Sequence, residues 1–299
     1  MRLVRSLLIA AVLSATAATA LAEQAPYPDS EEAYDAEIAK LRWKKGPGNY
    51  QLGDSNARVA LPQGIEILTG PDAERMAYLL NGIELPETVA MAQSRTSDAI
   101  IYVDYFADGF VTDGDWSEID PDALLEDIRA GNEAANDERA SNGFAPMHTV
   151  GWLIPPAYDA EKKTARWAIE LEEEGKRFAN IQVIKLGRNG YHQITWAGPR
   201  HGADGTPMFL QAIIESHSYD EGFRYADYVE GDKLAGFGIG ALVAATAVGS
   251  KPGKGVIAAI VGAAVLIAKK AWFVVLAGLA ALGALFKRLF NRGGDPDTA

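Results

Sequence analysis

The chain has no cysteine among its 299 residues. That excludes a disulfide framework, a thiolate nucleophile, a cysteine metal site and a lipid-modified cysteine as an anchor. Cysteine avoidance fits export to an oxidising bacterial compartment. Histidine is nearly as scarce, with only His148, His192, His201 and His217. None of them forms a His-x-x-x-His pair or has a glutamate at zinc-protease spacing. There is no Gly-x-Ser-x-Gly elbow and no phosphate-binding Gly-x-x-x-x-Gly-Lys-Ser/Thr, and Ser216 beside His217 lacks the strained strand-to-helix setting of a serine nucleophile. The one Gly-x-Gly-x-Gly, at 236–240, lies in an apolar run that no nucleotide would reach. No catalytic residue, metal or cofactor is therefore expected, and an enzyme is the less favoured class.

Charge is missing from one long stretch. Residues 234–286 hold only four ionised side chains, Lys251, Lys254, Lys269 and Lys270. Upstream, 23–233 carries 38 acidic against 19 basic side chains, a net of −19, while 234–299 carries 2 against 7, a net of +5. So acidic a segment is repelled by nucleic acid and by anionic headgroups, and nucleic acid is not expected as a partner. At the N-terminus, Arg2 and Arg5 precede an apolar run and the small-residue stretch Ala20-Leu21-Ala22. This pattern predicts a secretory signal peptide over 1–22, with an uncleaved signal anchor as the alternative. A linker and short helix at 23–43, an exported domain at 44–233, a transmembrane helical region at 234–290 and a polar tail at 291–299 complete the expected organisation.

The domain reads as α+β with a mainly antiparallel sheet and a few helices. Strands are predicted at 57–61, 64–68, 98–106, 148–154, 164–171, 177–186 and 191–197. The last two are joined by Gly187-Arg188-Asn189-Gly190, whose Asn-Gly pair tolerates the positive φ of a tight hairpin. Helices are predicted at 31–43, at 72–80, from an Asp120 N-cap to about Ala140, and at 207–218.

The apolar region divides into 234–249, 255–268 and 271–286, with a Lys-Pro-Gly-Lys turn after the first piece. Each piece alone spans about 21–24 Å as a helix, short of a hydrocarbon core of about 30 Å. The second and third have no turn residue between them and read as one helix, with Lys269 and Lys270 snorkelling or facing a crevice. The result is a hairpin of 234–249 and 255–286. Against this, Lys287, Arg288 and Arg292 favour a cytoplasmic C-terminus and so an odd number of crossings. Gly236, Gly240 and Ala244 recur every fourth residue, a helix face that allows close packing in lipid, or simply a Gly/Ala-rich helix.

The residues also carry a resemblance. Trp43-Lys-Lys-Gly-Pro-Gly, Gly109-Phe-Val-Thr-Asp-Gly-Asp, Asp122-Ala-Leu-Leu with Asn136-Asp-Glu-Arg, Gly151-Trp, Pro156-Ala-Tyr-Asp, Trp167-Ala, Leu186-Gly-Arg-Asn-Gly, Gly222-Phe-Arg-Tyr-Ala-Asp and Asp232-Lys follow in order. This series resembles the uncharacterised bacterial membrane-anchored proteins of domain-of-unknown-function family 2167. The resemblance implies an exported domain with a C-terminal anchor and supplies no activity.

Among candidate sites, the acids Asp104, Asp108, Asp113, Asp115, Glu118, Asp120 and Asp122 fail the calcium-loop pattern. From Asp113 the sixth position is Glu118 and the twelfth Leu124, where glycine and glutamate are needed. Trp116, Trp152, Trp167, Trp196, Tyr158, Tyr191, Tyr225 and Tyr228 are expected mainly in the core, with a binding groove as the alternative. Arg188, Arg224, Tyr225, Asp227 and Lys233 are the candidate interaction surface, with Tyr225 and Tyr228 at the membrane interface.

The favoured function is an envelope protein of the bacterial inner membrane, its main domain periplasmic. The bilayer is one partner, and a protein partner or a second copy, met through the membrane helices, is the other. The alternative is a membrane-bound hydrolase or carbohydrate-active enzyme using carboxylates from 104–122 or 170–174. A third is service to a transporter through Lys269 and Lys270.

Overall fold

The run Ala57–Leu61 alternates along its length, burying Ala57, Val59 and Leu61 and exposing Arg58 and Ala60. That is the signature of a strand with one wet face. In the computed structural model, which describes residues 26–82, 84–141, 145–203 and 205–248, it is β3. Before it come α1 (Glu31–Lys40), β1 (Lys44–Lys45) and β2 (Gly48–Gln51). After it come β4 (Ile65–Thr69), α2 (Pro71–Asn81), β5 (Thr88–Ser94), β6 (Ile100–Phe106), β7 (Phe110–Thr112) and α3 (Pro121–Ser141). Four long strands follow: β8 (Met147–Asp159), β9 (Thr164–Glu173), β10 (Lys176–Leu186) and β11 (Tyr191–Pro199). The described chain ends with α4 (Met208–Ser216), β12 (Ser218–Tyr219), β13 (Leu234–Gly238) and α5 (Ile239–Ala247).

Eight strands form one sheet in the order β1-β4-β5-β6-β11-β10-β9-β8, and every pairing in it is antiparallel. The fold is α+β, as the spacing of strands and helices predicts. Register fixes which side chains share a face: Ile101, Val103, Ile181, Val183, Ile194 and Trp196 lie on one. A three-stranded sheet, β12-β3-β2, and α4 cover that face through Val59, Leu61, Leu210 and Ile213. The opposite face is covered by α2 over Leu68, Met91 and Tyr102. Further along it, α5 lies over Trp167, Ile184 and Tyr191, and α3 packs against Ala244 of α5 through Leu124 and Ile128.

Local signals place several of these elements. Asp120 caps α3 by accepting from the N–H groups of Asp122 and Ala123. Gly82 closes α2 in the left-handed conformation, φ 73°, where glycine bears no Cβ penalty. Strand β5 escapes the sequence reading. It lies between two other strands with both faces covered, so its burial shows no two-residue period.

The largest correction concerns 234–249, expected as a membrane helix. It is a short strand, β13, parallel to β7, followed by a helix of nine residues. Eight of those nine residues are buried, so the domain runs on to Ala247 rather than stopping at Lys233. Gly236, Gly240 and Ala244 therefore do not share a helix face: Gly236 sits in β13 at φ 79°, and only the other two are helical. Nine or so apolar residues suit a buried core helix, and here the sheet supplies the core. Among the described residues, no helix is long and apolar enough to cross a membrane. The expected signal peptide at 1–22, Lys269 and Lys270, the apolar run 255–286 and the expected polar tail lie outside the described residues.

Candidate functional site

The tip of the β10–β11 hairpin gathers the residues chosen from sequence. Gly187 donates its N–H to the Gly190 carbonyl at 2.8 Å, which closes the turn. Arg188 then reaches sideways. Its Nε and Nη2 donate to the two carboxylate oxygens of Asp232 at 2.7 and 2.9 Å, a planar two-bond match, and Nη1 donates to the Gly222 carbonyl. The guanidinium, joined by the Val229 N–H, holds the Asp232 carboxyl down at about 2. The Arg188 N–H donates to the Phe223 carbonyl, and Gly187 bridges to Arg224. Asp227 Oδ2 accepts from the N–H groups of Gly222 and Arg224 and from Arg224 Nε, within 3.1 Å. Burial pushes this carboxyl up, but the bonds from Arg224 outweigh it and leave Asp227 below the usual carboxylate range.

Two further contacts fasten the segment on its other side. Tyr225 donates to the Val111 carbonyl at 3.0 Å and packs its ring, tilted by 33°, against Phe110. Lys233 Nζ donates to the Ala107 carbonyl at 3.2 Å, while its own carbonyl accepts from Phe110. Thus Arg188, Arg224, Tyr225, Asp227 and Lys233 do converge, but chiefly as a clasp that holds 220–233 onto the hairpin. Tyr225 is turned inward, with the Lys163 ammonium 4.9 Å from its ring centre, rather than outward to an interface. Facing solvent beside the clasp are three apolar side chains, Tyr228, Val229 and Leu234, the last two more than half exposed, among the charged Glu221, Arg224, Glu230 and Lys233. From the clasp the chain enters β13 and α5, where Asp115 accepts from the N–H groups of Gly240 and Ala241 at the start of the helix.

Beneath the clasp, on the face covered by α4, lies a group that the sequence reading missed. His192 is fully buried on β11. Its Nε2 lies 2.9 Å from Ser55 Oγ, and its Nδ1 meets both Tyr219 Oη at 2.9 Å and His217 Nε2 at 3.1 Å. Ser55 donates to the Leu52 carbonyl, and Tyr219 donates to the Lys185 carbonyl. With the Tyr219 hydroxyl proton on the Lys185 carbonyl, His217 Nε2–H can donate to His192 Nδ1 and His192 Nε2–H to Ser55 Oγ, which leaves the Nδ1–Tyr219 Oη approach without a proton of its own. His217 Nδ1 is then a buried atom with no partner. Burial keeps both imidazoles neutral, His192 well below its usual range and His217 at about 3. Tyr219 also rests on Gly187, where an added Cβ would come within 2.6 Å of its ring. The histidine group and the clasp are therefore contiguous.

The acids have separate tasks. Asp104 accepts from the Thr88 hydroxyl on β5, and Asp113 meets Lys163 and Tyr158. Asp115 and Asp120 cap helices. In 170–174, Glu170 and Glu172 pair with Arg177, and Glu173 pairs with Arg139. Of the aromatic residues, Trp167, Trp196 and Tyr191 are buried, and Trp116, Trp152 and Tyr158 pack around the α5 core. His148 pairs with Glu133, and His201 lies in a single 3-10 turn. Among the described residues, no three of histidine, aspartate and glutamate are grouped to hold a metal.

A family model described as "Protein of unknown function (DUF2167)" matches residues 44–280, and the chain belongs to that family. No curated protein matches it. Among solved structures it is similar to the solution structure of cyanobacterial PsbP (CyanoP) from Synechocystis sp. PCC 6803. The identity is 8%, with 60% of this chain and 94% of that one covered at a TM-score of 0.35. It is also similar to a crystal structure from Bacteroides thetaiotaomicron VPI-5482, at 11% identity, with 59% of this chain and 50% of that one covered at a TM-score of 0.29. Both scores are below 0.5, and nothing about activity follows from them.

Proposed function

We propose that this member of the family is an envelope protein held in the bacterial inner membrane by its C-terminal apolar sequence, with its acidic α+β domain exported, kept close to the bilayer and presented to a protein partner. The observation that supports this reading is the route by which the chain leaves the domain. Here the Arg188–Asp232 pair, the Asp227 turn and the Lys233 contact fasten 220–233, and α5 carries the chain through the core to Ala247, so only 248–254 separate the folded domain from the apolar run. With 239–247 used by the domain, the apolar run left for the bilayer is 255–286. Those 32 residues extend about 48 Å as a helix, enough for one tilted crossing of about 30 Å. One crossing sets Lys287, Arg288 and Arg292 on the cytoplasmic side, which removes the conflict between hairpin and charge in the sequence reading.

The partner surface in this reading is the exposed set beside the clasp, Arg224, Tyr228, Val229 and Leu234, since apolar side chains rimmed by charge are what a protein interface uses. A photo-reactive side chain at Val229 or Leu234, activated in intact membranes, is expected to give a discrete adduct heavier than the monomer. The same probe at exposed Ser141 should give none. Monomer alone from both positions would overturn the partner.

A further inference from the structure

His192 is the point where three separate pieces of the second layer meet the main sheet. The turn after β2 contributes Ser55, the end of α4 contributes His217, and β12 contributes Tyr219, each with a polar atom within 3.1 Å of the same ring. The other groups near it offer no unpaired negative charge. Lys185 of β10 donates its ammonium to the Ile214 carbonyl at the end of α4. Tyr105 of β6 lies with its ring 4.9 Å from His192. Asp220, just beyond β12, is already paired with Arg58. Among the described residues, no carboxylate bonds either imidazole.

We infer that the His192–His217 pair is an acid-released latch: protonating the rings frees the end of α4 and β12 from the sheet, and with them the 220–233 segment that clasps the hairpin. Protons from solvent are the ligand: each ring gains one N–H bond, and otherwise only hydrogen bonds change. A second charge on His192 would meet imidazolium and ammonium in a dry site, and an imidazolium at His192 has no lone pair to accept from His217. The chain then carries the release onward, because Tyr219 rests on Gly187 and is followed directly by the residues that hold Arg188.

The sign follows from linkage. In the opened state an imidazole titrates near 6.5, whereas in the closed state it does not accept the proton until far lower. Closure is therefore at full strength above about pH 6.5 and weakens as pH falls. At pH 5 each ring favours opening by about 30-fold. The inference concerns the domain's own closure and stands whether or not the anchoring reading holds.

Amide hydrogen exchange of the full-length protein in neutral detergent, corrected for intrinsic rates, tests it. Between pH 7.5 and 5.0, residues 52–57 and 217–233 are expected to lose protection by at least about tenfold, with β9 and β10 unchanged. His217→Gln, which keeps a donor for His192 Nδ1, should blunt that response. Unchanged protection at 217–233, uniform opening of the sheet, or a parent-like response in His217→Gln would each overturn the latch. If His217→Gln does not fold, a loss of protection in the parent that does not set in near pH 6.5 overturns it alone.

Discussion

Asp104 sits on the sheet face opposite the histidines, on β6, accepting from Thr88 Oγ1 at 2.7 Å. Burial lifts its carboxyl to about 7, the Thr88 bond opposes that, and the charge of Glu87 adds to it. The folded value exceeds the unfolded one of about 3.9, so the protonated form is the one the fold prefers. That preference is fully present below about pH 4 and is lost as pH rises through 7. Asp104→Asn keeps the acceptor and removes the charge. It is expected to stabilise the protein by about 1–2 kcal/mol at pH 8 and to leave it unchanged at pH 4, as read by chemical unfolding. Equal stability of variant and parent at pH 8 would show that this carboxylate is solvated. The histidines slope the other way with pH, so comparing the Asp104→Asn and His217→Gln variants separates the two contributions. Neither site could be read from sequence. Ser55 and His192 are 137 residues apart, and a lone histidine in a strand looks the same whether it packs alone or joins a row.

Helix α5 is the element whose placement most changes the reading of the chain. Leu242 is fully buried among Val111, Trp167 and Ile184. Leu242→Ala is expected to cost about 2–4 kcal/mol of domain stability, the range for a large-to-small change in a packed core. A membrane helix at that position would leave the domain's thermal midpoint where it was, and that result would sink the assignment. The edge strand β8 shows a second device. Asn136 of α3 donates to the Met147 carbonyl and accepts from the Met147 N–H, and Arg129 covers the Val150 carbonyl. Pro155 and Pro156 offer no N–H farther along, and three register shifts bend the strand. Together these close an edge that would otherwise pair with another chain. The hairpin, the Asp120 cap and the Gly82 stop were legible because each depends on near neighbours. Strand β5 and helix α5 were not, because their periods are erased by burial on every side.

For the whole molecule, the consequence is directional. On the proposed single crossing, the domain and the C-terminal tail lie on opposite sides of the membrane. The absence of cysteine makes this simple to test. In otherwise unchanged protein, Ser141→Cys should react with an impermeant maleimide from the periplasmic side, and Thr298→Cys only after the inner membrane is permeabilised. Labelling of both from one side would restore an even number of crossings or none. By itself the sequence determined the redox chemistry the protein must do without, the charge its partners must tolerate, the antiparallel α+β class and the family. Each rests on composition or on short-range stereochemistry, which a chain carries before it folds. Only the tertiary structure decided that Arg188 faces Asp232, that His192 meets Ser55 and His217, and that 239–247 is core rather than anchor. Burial and pairing across a sheet depend on what lies opposite, and an apolar run of nine residues is satisfied equally by lipid or by protein.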